Sequence, residues 1–502
     1  LNASVRQSDE VIRRYFAPCA IATTKLVVSL TLFWSGFRSI SDDDFARVVI
    51  AQQFVTYPHF DPSGTSWLPF PFLLYGSAMT VFGATLVAAQ VMAVLLGVCA
   101  AVGVWLVARS LHLSPRAALV AGMIAACMPH AVYYGAAMVP DYSTAVLALV
   151  ASATLSSKHG RTRAAGALAA CLATLCRYET WPIAFVVSGY ATFDAIRQRH
   201  ERRWLVGSAI IASLGATAWI LHGLAHHHDA FFFVKRVAAY RRALGGESMT
   251  LGVRLVQQPL ALFTGEPELT VLALLLLLIV LLIHGREGLR GRAWARPSLA
   301  IGSLVSFLVI GDLLGGAPTH HEDRTLLPAW LAMALLVGEL LDRLLRSAVG
   351  PGPSNDQRTV WLARKRLVVS VGVLGAVLAV TLIVRPRITK SESFVDRSRE
   401  IGIGQAAAEL VPQGQRLAVY TADYGFLAVQ AAFARSFDCA PILRHDPRHH
   451  EHDPLSSPEE LTQRLAALRA RYLVVPTGRL QDLSQQTRIE TESNGFALVS
   501  QR

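Results

Sequence analysis

Val271–Ile283 reads VLALLLLLIVLLI and Leu367–Val384 reads LVVSVGVLGAVLAVTLIV. Neither run carries a charge; Arg286 follows the first closely and Arg366 directly precedes the second. A surface helix of a soluble domain would break such a run with a polar face, and a half-solvated strand would alternate. The runs instead approach the ~20 apolar residues that cross a bilayer. The whole chain agrees with them: of its 502 residues 53% are hydrophobic and only 16% charged, against about 25% charged in ordinary soluble domains. A disordered, collagen-like or conventional soluble chain is excluded, and a polytopic α-helical membrane protein is expected.

Working outward from these two runs, spans are predicted near 19–37, 85–107, 117–134, 140–156, 164–176, 182–196, 204–222, 269–284, 298–315, 326–345 and 366–384, about eleven transmembrane helices in all. Polar residues Leu1–Arg14 precede the first span and no A-x-A site follows it, so it reads as a retained helix and not a cleaved signal. The net charge of +12 would suggest nucleic acid in a soluble protein. Here Lys and Arg cluster between apolar blocks, as the positive-inside rule requires, and no nucleic-acid partner is expected. The six cysteines form no CxxC and lie mostly in apolar stretches, which suits packing and not a disulfide or zinc framework.

Trp67–Gly83 is apolar but opens with Pro69 and Pro71. If it does not cross, the basic groups around Arg13, Arg109/Arg116, Lys158/Arg163, Arg197/Arg203, Arg286/Arg296 and Arg343–Arg366 share one side, the cytoplasmic one. It is therefore read as a re-entrant or interfacial helix within a first external loop, 38–84. The opposite face then collects Asp42–Asp44, Asp61, Asp141, Arg177/Glu179, His226–Asp229 and His320–Arg324. That partition points to a polar site at the external membrane interface.

Residues 1–387 are expected to form the membrane domain and 388–502 a small extracytoplasmic α/β domain. The latter has strand-like Arg416–Thr421, Arg471–Pro476 and Phe496–Gln501, and helical Tyr424–Ala434 and Pro458–Arg469. Gly350–Gln357 reads as a cytoplasmic linker, and no internal repeat is apparent.

Four constellations could carry chemistry. In Ser41–Arg47, SDDDFAR, three adjacent carboxylates need a cation, a proton or a metal to offset their repulsion. Asp43 and Asp44 are the general-base or metal candidates, while Asp42 or Asp43 as the cap of a helix over Phe45–Phe54 is the structural alternative. In Met138–Tyr142, Asp141 begins a helix and either caps it or lines a site. In Cys176–Pro182, Arg177 suits a phosphate and Glu179 a sugar hydroxyl, unless they pair only with each other. In Pro318–Pro328, PTHHEDRTLLP, Arg324 suits a phosphate, whereas the His–Glu–Asp spacing matches no standard zinc pattern. His226–Asp229 leads into an amphipathic stretch with Phe231–Phe233 and Lys235/Arg236, read as interfacial. His445, His449, His450 and His452 are read as a solvated loop. No P-loop and no GxSxG is present.

Taken together, these residues resemble the GT-C superfamily of integral-membrane glycosyltransferases, over most of Ile21–Val384. The resemblance rests on Asp42-Asp43-Asp44-Phe45-Ala46-Arg47 in the first external loop and on the run from Trp67-Leu68-Pro69-Phe70-Pro71 to Phe82-Gly83. The layout is similar to the protein O-mannosyltransferase and aminoarabinose transferase group. His320-His321-Glu322-Asp323-Arg324 resembles the His-Lys-Glu-x-Arg-Phe motif of lipid-linked-oligosaccharide and anchor mannosyltransferases, departing from it at His321 and Thr325.

The resemblance implies an inverting transferase that moves a sugar from a polyprenyl-phosphate donor to a hydroxyl of a glycan, lipid or protein acceptor. Asp43 or Asp44 would be catalytic. Arg324, His320, His321 and Arg177 would bind the donor phosphate, and Asp42, Asp141, Glu179 and Glu322 the acceptor or sugar. Phosphate leaves readily, so no cofactor is required, though Asp43 and Asp44 leave room for Mg or Mn. The setting that fits is a bacterial inner membrane, with the site and C-terminal domain outside. The rival readings are a lipid or sugar transporter or flippase, which would place polarity at the midplane in paired broken helices, a non-catalytic scaffold, and an en bloc oligosaccharide transferase.

Overall fold

The computed structural model describes residues 2–243, 250–284, 294–314, 322–349, 396–443, 445, 446, 448, 452–483 and 487–501. The expected span at 366–384 and the linker Gly350–Gln357 lie outside the described residues.

Helices α1 (Asn2–Trp34), α4 (Leu86–Ser110), α10 (Arg202–His227, extended by a 3-10 turn from Arg199) and α14 (Ala295–Leu313) include stretches long and apolar enough to cross a bilayer. The pair α12 (Leu251–Gly265) and α13 (Pro267–His284), bent by 92° at Glu266, passes the same test together and is either a broken span or a re-entrant loop. Most of the other expected spans fall on shorter helices: α5 (Pro115–Cys127), α6 (Pro129–Tyr134), α7 (Asp141–Thr154), α8 (Gly160–Thr174) and α9 (Trp181–Arg197). The span at 326–345 falls on α16 (Leu327–Val349), which is long enough but carries Glu339, Asp342 and Arg343. Of the about eleven expected crossings, then, four or five meet length and apolarity among the described residues. The Trp67–Gly83 run forms α3 (Phe70–Phe82), only 13 residues and so about 20 Å long at 1.5 Å per residue. It is short for a crossing.

Apolar side chains such as Phe16, Val81, Phe82, Leu106, Ile196 and Leu282 are exposed on many of these helices. In water that belt would drive aggregation; in lipid it costs nothing, and the protein is an integral membrane protein. Inside the bundle the contacts are made by small residues, with Ala100, Ala117, Ala121, Ala125, Ala145 and Ala148 all buried in one cluster. Between apolar helices in lipid, close backbone approach replaces the hydrophobic effect as the source of attraction.

Two basic segments assigned to one side by charge parity do meet. Arg163 and Arg296 both donate to Asp194 Oδ2, at 2.8 and 2.5 Å, and both reach the Leu155 carbonyl at the C-terminal end of α7. Asp141 opens the same helix.

The C-terminal part is a five-stranded sheet of order β2-β1-β3-β5-β4. β1 (Arg416–Val419) pairs in parallel with β2 (Cys439–Pro441) and β3 (Ala470–Pro476). β5 (Phe496–Gln501) runs antiparallel to β3 and to β4 (Thr487–Ser493). Helices α17 (Ser398–Leu410), α18 (Phe426–Phe433) and α19 (Pro458–Leu468) accompany it. The expected strands and helices are present, while β2, β4 and α17 are additional. This unit is not separate from the bundle. Ile401, Ala428, Ala431 and Ala432 share a buried cluster with Phe45, Val48, Val49, Tyr75 and Met79 of α3 and of α2 (Asp42–Thr56).

Candidate active site

The site is built at the end of the bundle where α7 begins. With 14 residues, α7 separates Asp141 from the Arg163–Asp194–Arg296 cluster by about 21 Å. Asp42, Asp43, Arg177, Glu179 and Arg324 all line one cavity at the Asp141 end, with a volume of about 500 Å³. Ligand pockets run from about 300 to 1,000 Å³.

The three adjacent aspartates face three ways, because successive helix residues diverge by about 100°. α2 begins at Asp42 with Ser41 as its N-cap, so the expected cap by Asp42 or Asp43 does not form. Asp42 accepts from Arg397 Nε and Nη2 at 2.9 and 3.0 Å. Asp43, with 37% of its side chain exposed, accepts from Arg324 Nη1 at 2.9 Å. Asp44 is fully buried and does not line the cavity. Its carboxylate accepts from the N–H groups of Ile40 and Ser41 at 3.2 Å and of Met138 at 2.8 Å. Burial pushes the Asp44 carboxyl up to about 6, against the opposing pull of Arg324 and of those backbone donors.

Arginines dominate the rest of the wall. Arg324, on the single turn α15 (Glu322–Thr325), is 4% exposed and also donates to Ser41 Oγ at 2.7 Å. Burial works against its charge, but Asp43, Asp141 and Asp44 outweigh that and raise its pKa. Arg177 stands 2.7 Å from Asp141 Oδ1 and donates through Nε to Glu179 at 2.5 Å. Asp141 therefore serves an ion pair and not a helix cap. Arg47 is buried with its guanidinium 4.6 Å from the Trp67 ring centre and 5.7 Å from that of Phe72. Burial, with Arg177 and Arg324 nearby, lowers its pKa. Its Nε has no hydrogen-bond partner among the described residues. Arg47, Arg177 and Arg324 thus share one cavity with the carboxylates Asp43 and Glu179, and a guanidinium is a group that can take a phosphate in place of a carboxylate.

Helix α11 (Phe232–Ala243) closes one side with Arg236, Tyr240 and Arg241. It carries the amphipathic stretch read as interfacial. The C-terminal unit closes another side with Tyr424, His445 and Arg448. His445, expected in a solvated loop, instead contributes to this wall, its Nε2 lying 3.0 Å from the Thr421 carbonyl. His449 and His450 lie outside the described residues, as do His320 and His321. Glu322 begins α15, and its side chain is likewise outside what is described.

Sequence reasoning gave no role to Arg47, Tyr240 or Arg397. Arg47 belongs to the acidic motif, but its spacing from Trp67 and Phe72 carries no signal in the sequence. Asp43 and Asp44, the expected metal candidates, have other partners, and a second group of ligand atoms lies elsewhere. Both oxygens of Asp44 are held by backbone N–H groups and Asp43 faces Arg324. Among the described residues the donors that converge are those of Asp61, His222 and His227, all within 4.8 Å of one another. His222 Nε2 lies 3.3 Å from Asp61 Oδ2, which ties the loop between α2 and α3 to the end of α10.

The chain is similar in fold to a membrane protein of known structure. Over 97% of its length it superposes on 98% of ArnT from Cupriavidus metallidurans bound to undecaprenyl phosphate, with a TM-score of 0.58 and 14% identity. The apo state of the same protein covers 96% of this chain and 97% of its own, with a TM-score of 0.54 and 14% identity. Within the chain, residues 66–222 match the family described as dolichyl-phosphate-mannose-protein mannosyltransferase. The match starts at the Trp67-Pro69-Pro71 run and includes Asp141, Arg177 and Glu179, but neither the acidic loop nor Arg324. No curated protein matches significantly.

Proposed function

We propose that this protein is an inverting glycosyltransferase. It moves a sugar from a polyprenyl-phosphate donor to a hydroxyl acceptor at the extracytoplasmic face of a membrane, in the setting of a bacterial cell envelope. The observation that carries the reading is the meeting of Asp43 and Arg324 on the wall of an arginine-lined cavity. A carboxylate that can accept a proton stands beside cations that can accept a leaving phosphate, and the transfer needs both.

The chemistry follows from the residues. An incoming lipid phosphate competes with Asp43 for the guanidinium of Arg324. Once Arg324 turns to the phosphate, Asp43 is free to take the acceptor's hydroxyl proton. The acceptor oxygen bonds to the anomeric carbon from the face opposite the phosphate, the C1–O bond breaks, and its electron pair leaves on the polyprenyl phosphate. Arg324 and Arg177 stabilise that charge, while Arg47 helps to hold the phosphate in place. Glu179 is placed to bind a sugar hydroxyl. Asp141 acts behind Arg177 and Asp42 through Arg397, so both hold the site in place more than they hold substrate. Asp44 is assigned to the scaffold. In this reading the C-terminal unit, residues 388–502, lies on the same side as the cavity and covers it.

The test is transfer from radiolabelled polyprenyl-phosphate mannose and arabinose by purified, lipid-reconstituted protein. Wild type is run beside Asp43→Asn, Asp44→Asn and Arg324→Ala, with and without EDTA. Product from either donor, lost in Asp43→Asn, is expected. No product from either would sink the reading for these donors, and loss only in Asp44→Asn would reassign the base.

A further inference from the structure

We propose that Arg397 is a positioning residue for the acidic loop, so that the site is complete only with the C-terminal unit docked on it. Arg397 lies just before α17, 355 positions from Asp42. It is 5% exposed and its guanidinium is shared among carboxylates from three places. Nε and Nη2 hold both oxygens of Asp42 at 2.9 and 3.0 Å. Nη1 and Nη2 hold both oxygens of Asp423 at 3.1 and 2.8 Å, and Nη1 also reaches Glu400 at 2.9 Å.

This is not an ordinary surface pair, which contributes little. It is bidentate toward the membrane part, and the side chains of Asp42 and Glu400 are only 19% and 10% exposed. Without Arg397 three carboxylates would face one another at a partly buried site, and like charges so placed repel. Asp42 is the member that belongs to the membrane part, on the first turn of α2, and Asp43 is the next residue. A shift of Asp42 therefore moves Asp43 relative to Arg324.

The space around the clamp is built for close approach. A Cβ on Gly425 would stand 2.7 Å from Glu400 Oε1 and 3.0 Å from both Arg397 Nη1 and Asp423 Oδ1. Further along α2, Gln52 donates to the Ala431 carbonyl at 2.9 Å, and the shared apolar cluster lies between. The helix carrying Asp43 is thus held by the C-terminal unit at its first turn and again near its other end.

The kinetic arm of the test rests on the transferase reading above; the exchange arm does not. The full chain in lipid nanodiscs is compared as wild type, Arg397→Ala, Arg397→Lys and Asp423→Asn. Arg397→Ala is expected to lower turnover about a hundredfold, as a misplacement of about 1 Å can. Donor KM should move less than about threefold, because the arginines of the wall remain. Arg397→Lys should recover part of the turnover, and Asp423→Asn, which leaves the Asp42 bonds, most of it. Amide hydrogen exchange should quicken over 40–47 in Arg397→Ala while the bundle helices stay protected. Wild-type turnover and exchange in Arg397→Ala would overturn the proposal, as would a loss of protection spread over the whole chain. If wild type transfers no sugar, the transferase reading fails, and local exchange over 40–47 alone decides the clamp.

Discussion

Arg324 and Asp43 stand 281 positions apart in the sequence and 2.9 Å apart in the fold. One belongs to a single helical turn before α16, the other to the first turn after the first membrane helix. Arg324 is 3% exposed at its side chain and Asp43 is 37% exposed, so the cation is embedded in the wall and the carboxylate faces the cavity. An ion pair with one partner embedded adds little to stability, since desolvation of the cation offsets most of the attraction. In the proposed reaction its value lies in being separable: an entering phosphate takes the cation and leaves Asp43 to act as base.

That asymmetry predicts two different kinetic defects. Asp43→Asn keeps the shape and removes the proton acceptor. Turnover should fall by about 10²–10⁴, the range of general-base contributions, with donor KM unchanged or lower, since the phosphate no longer competes with a charged Asp43 for Arg324. Arg324→Ala removes charge from the leaving phosphate and also unpairs Asp43, so both turnover and donor KM should worsen. Steady-state kinetics with a polyprenyl-phosphate sugar separates the two. Equal KM defects in both variants would contradict the division of labour.

Asp44 offers a prediction in pH. Its folded-state carboxyl is pushed from 3.8 up to about 6 by burial. The folded protein therefore holds this proton more tightly than the unfolded chain does. The stability this group contributes is present below pH 3.8 and is lost as pH rises through about 6. Activity should move the other way, since only the carboxylate can accept all three backbone N–H groups that fix the start of α2. The expected outcome is an acid limb in turnover near pH 6 that Asp44→Asn removes. Thermal unfolding from pH 4 to 7, wild type against Asp44→Asn, tests the stability half. A limb that survives the substitution assigns it to another group.

Much of this was legible beforehand, for physical reasons. Apolar runs and the parity of basic clusters gathered Asp42–Asp44, Asp141, Arg177, Glu179 and Arg324 on one face, and the fold brings them to one end of the bundle. The roles of three neighbouring aspartates were not legible, because adjacent positions on a helix look alike in sequence and diverge only once the partners Arg397, Arg324 and Met138 are in place. Arg397 itself gave no signal. It stands beside Arg399 in a polar segment, and two of its three partners lie 355 and 26 positions away. Span counting was limited by helix length, since α7 to α9 have only 14, 15 and 17 residues.

Arg47 should act on donor binding more than on chemistry. Its guanidinium rests on Trp67, and its Nε has no hydrogen-bond partner among the described residues. A buried unsatisfied donor is costly, and a phosphate in the cavity would relieve that cost. Arg47→Lys keeps the charge but loses the planar fork and the stacking on the ring. Inhibition of transfer by undecaprenyl phosphate should weaken about tenfold, corresponding to about 1.4 kcal/mol, with turnover at saturating donor nearly unchanged. An unaltered inhibition constant would remove Arg47 from the phosphate site.

Gly97 connects packing to the site. A Cβ there would lie 2.0 Å from the Gly135 carbonyl oxygen and 2.9 Å from its carbon, and both are backbone atoms that a rotamer change cannot move. Gly97→Ala should therefore push α4 away from the 135–141 segment, at about 1–3 kcal/mol as overpacked cores show. That segment carries Met138, whose N–H holds Asp44, and ends at Asp141 beside Arg177. Activity should fall with stability, although Gly97 lies outside the cavity wall. Gly207→Ala on α10 is the matched control, since nothing stands within 4 Å of its Cβ position. There the higher helix propensity of alanine should leave the thermal midpoint unchanged or slightly raised. Equal effects of the two substitutions would mean that the close approach of α4 to Gly135 does not hold the site in place.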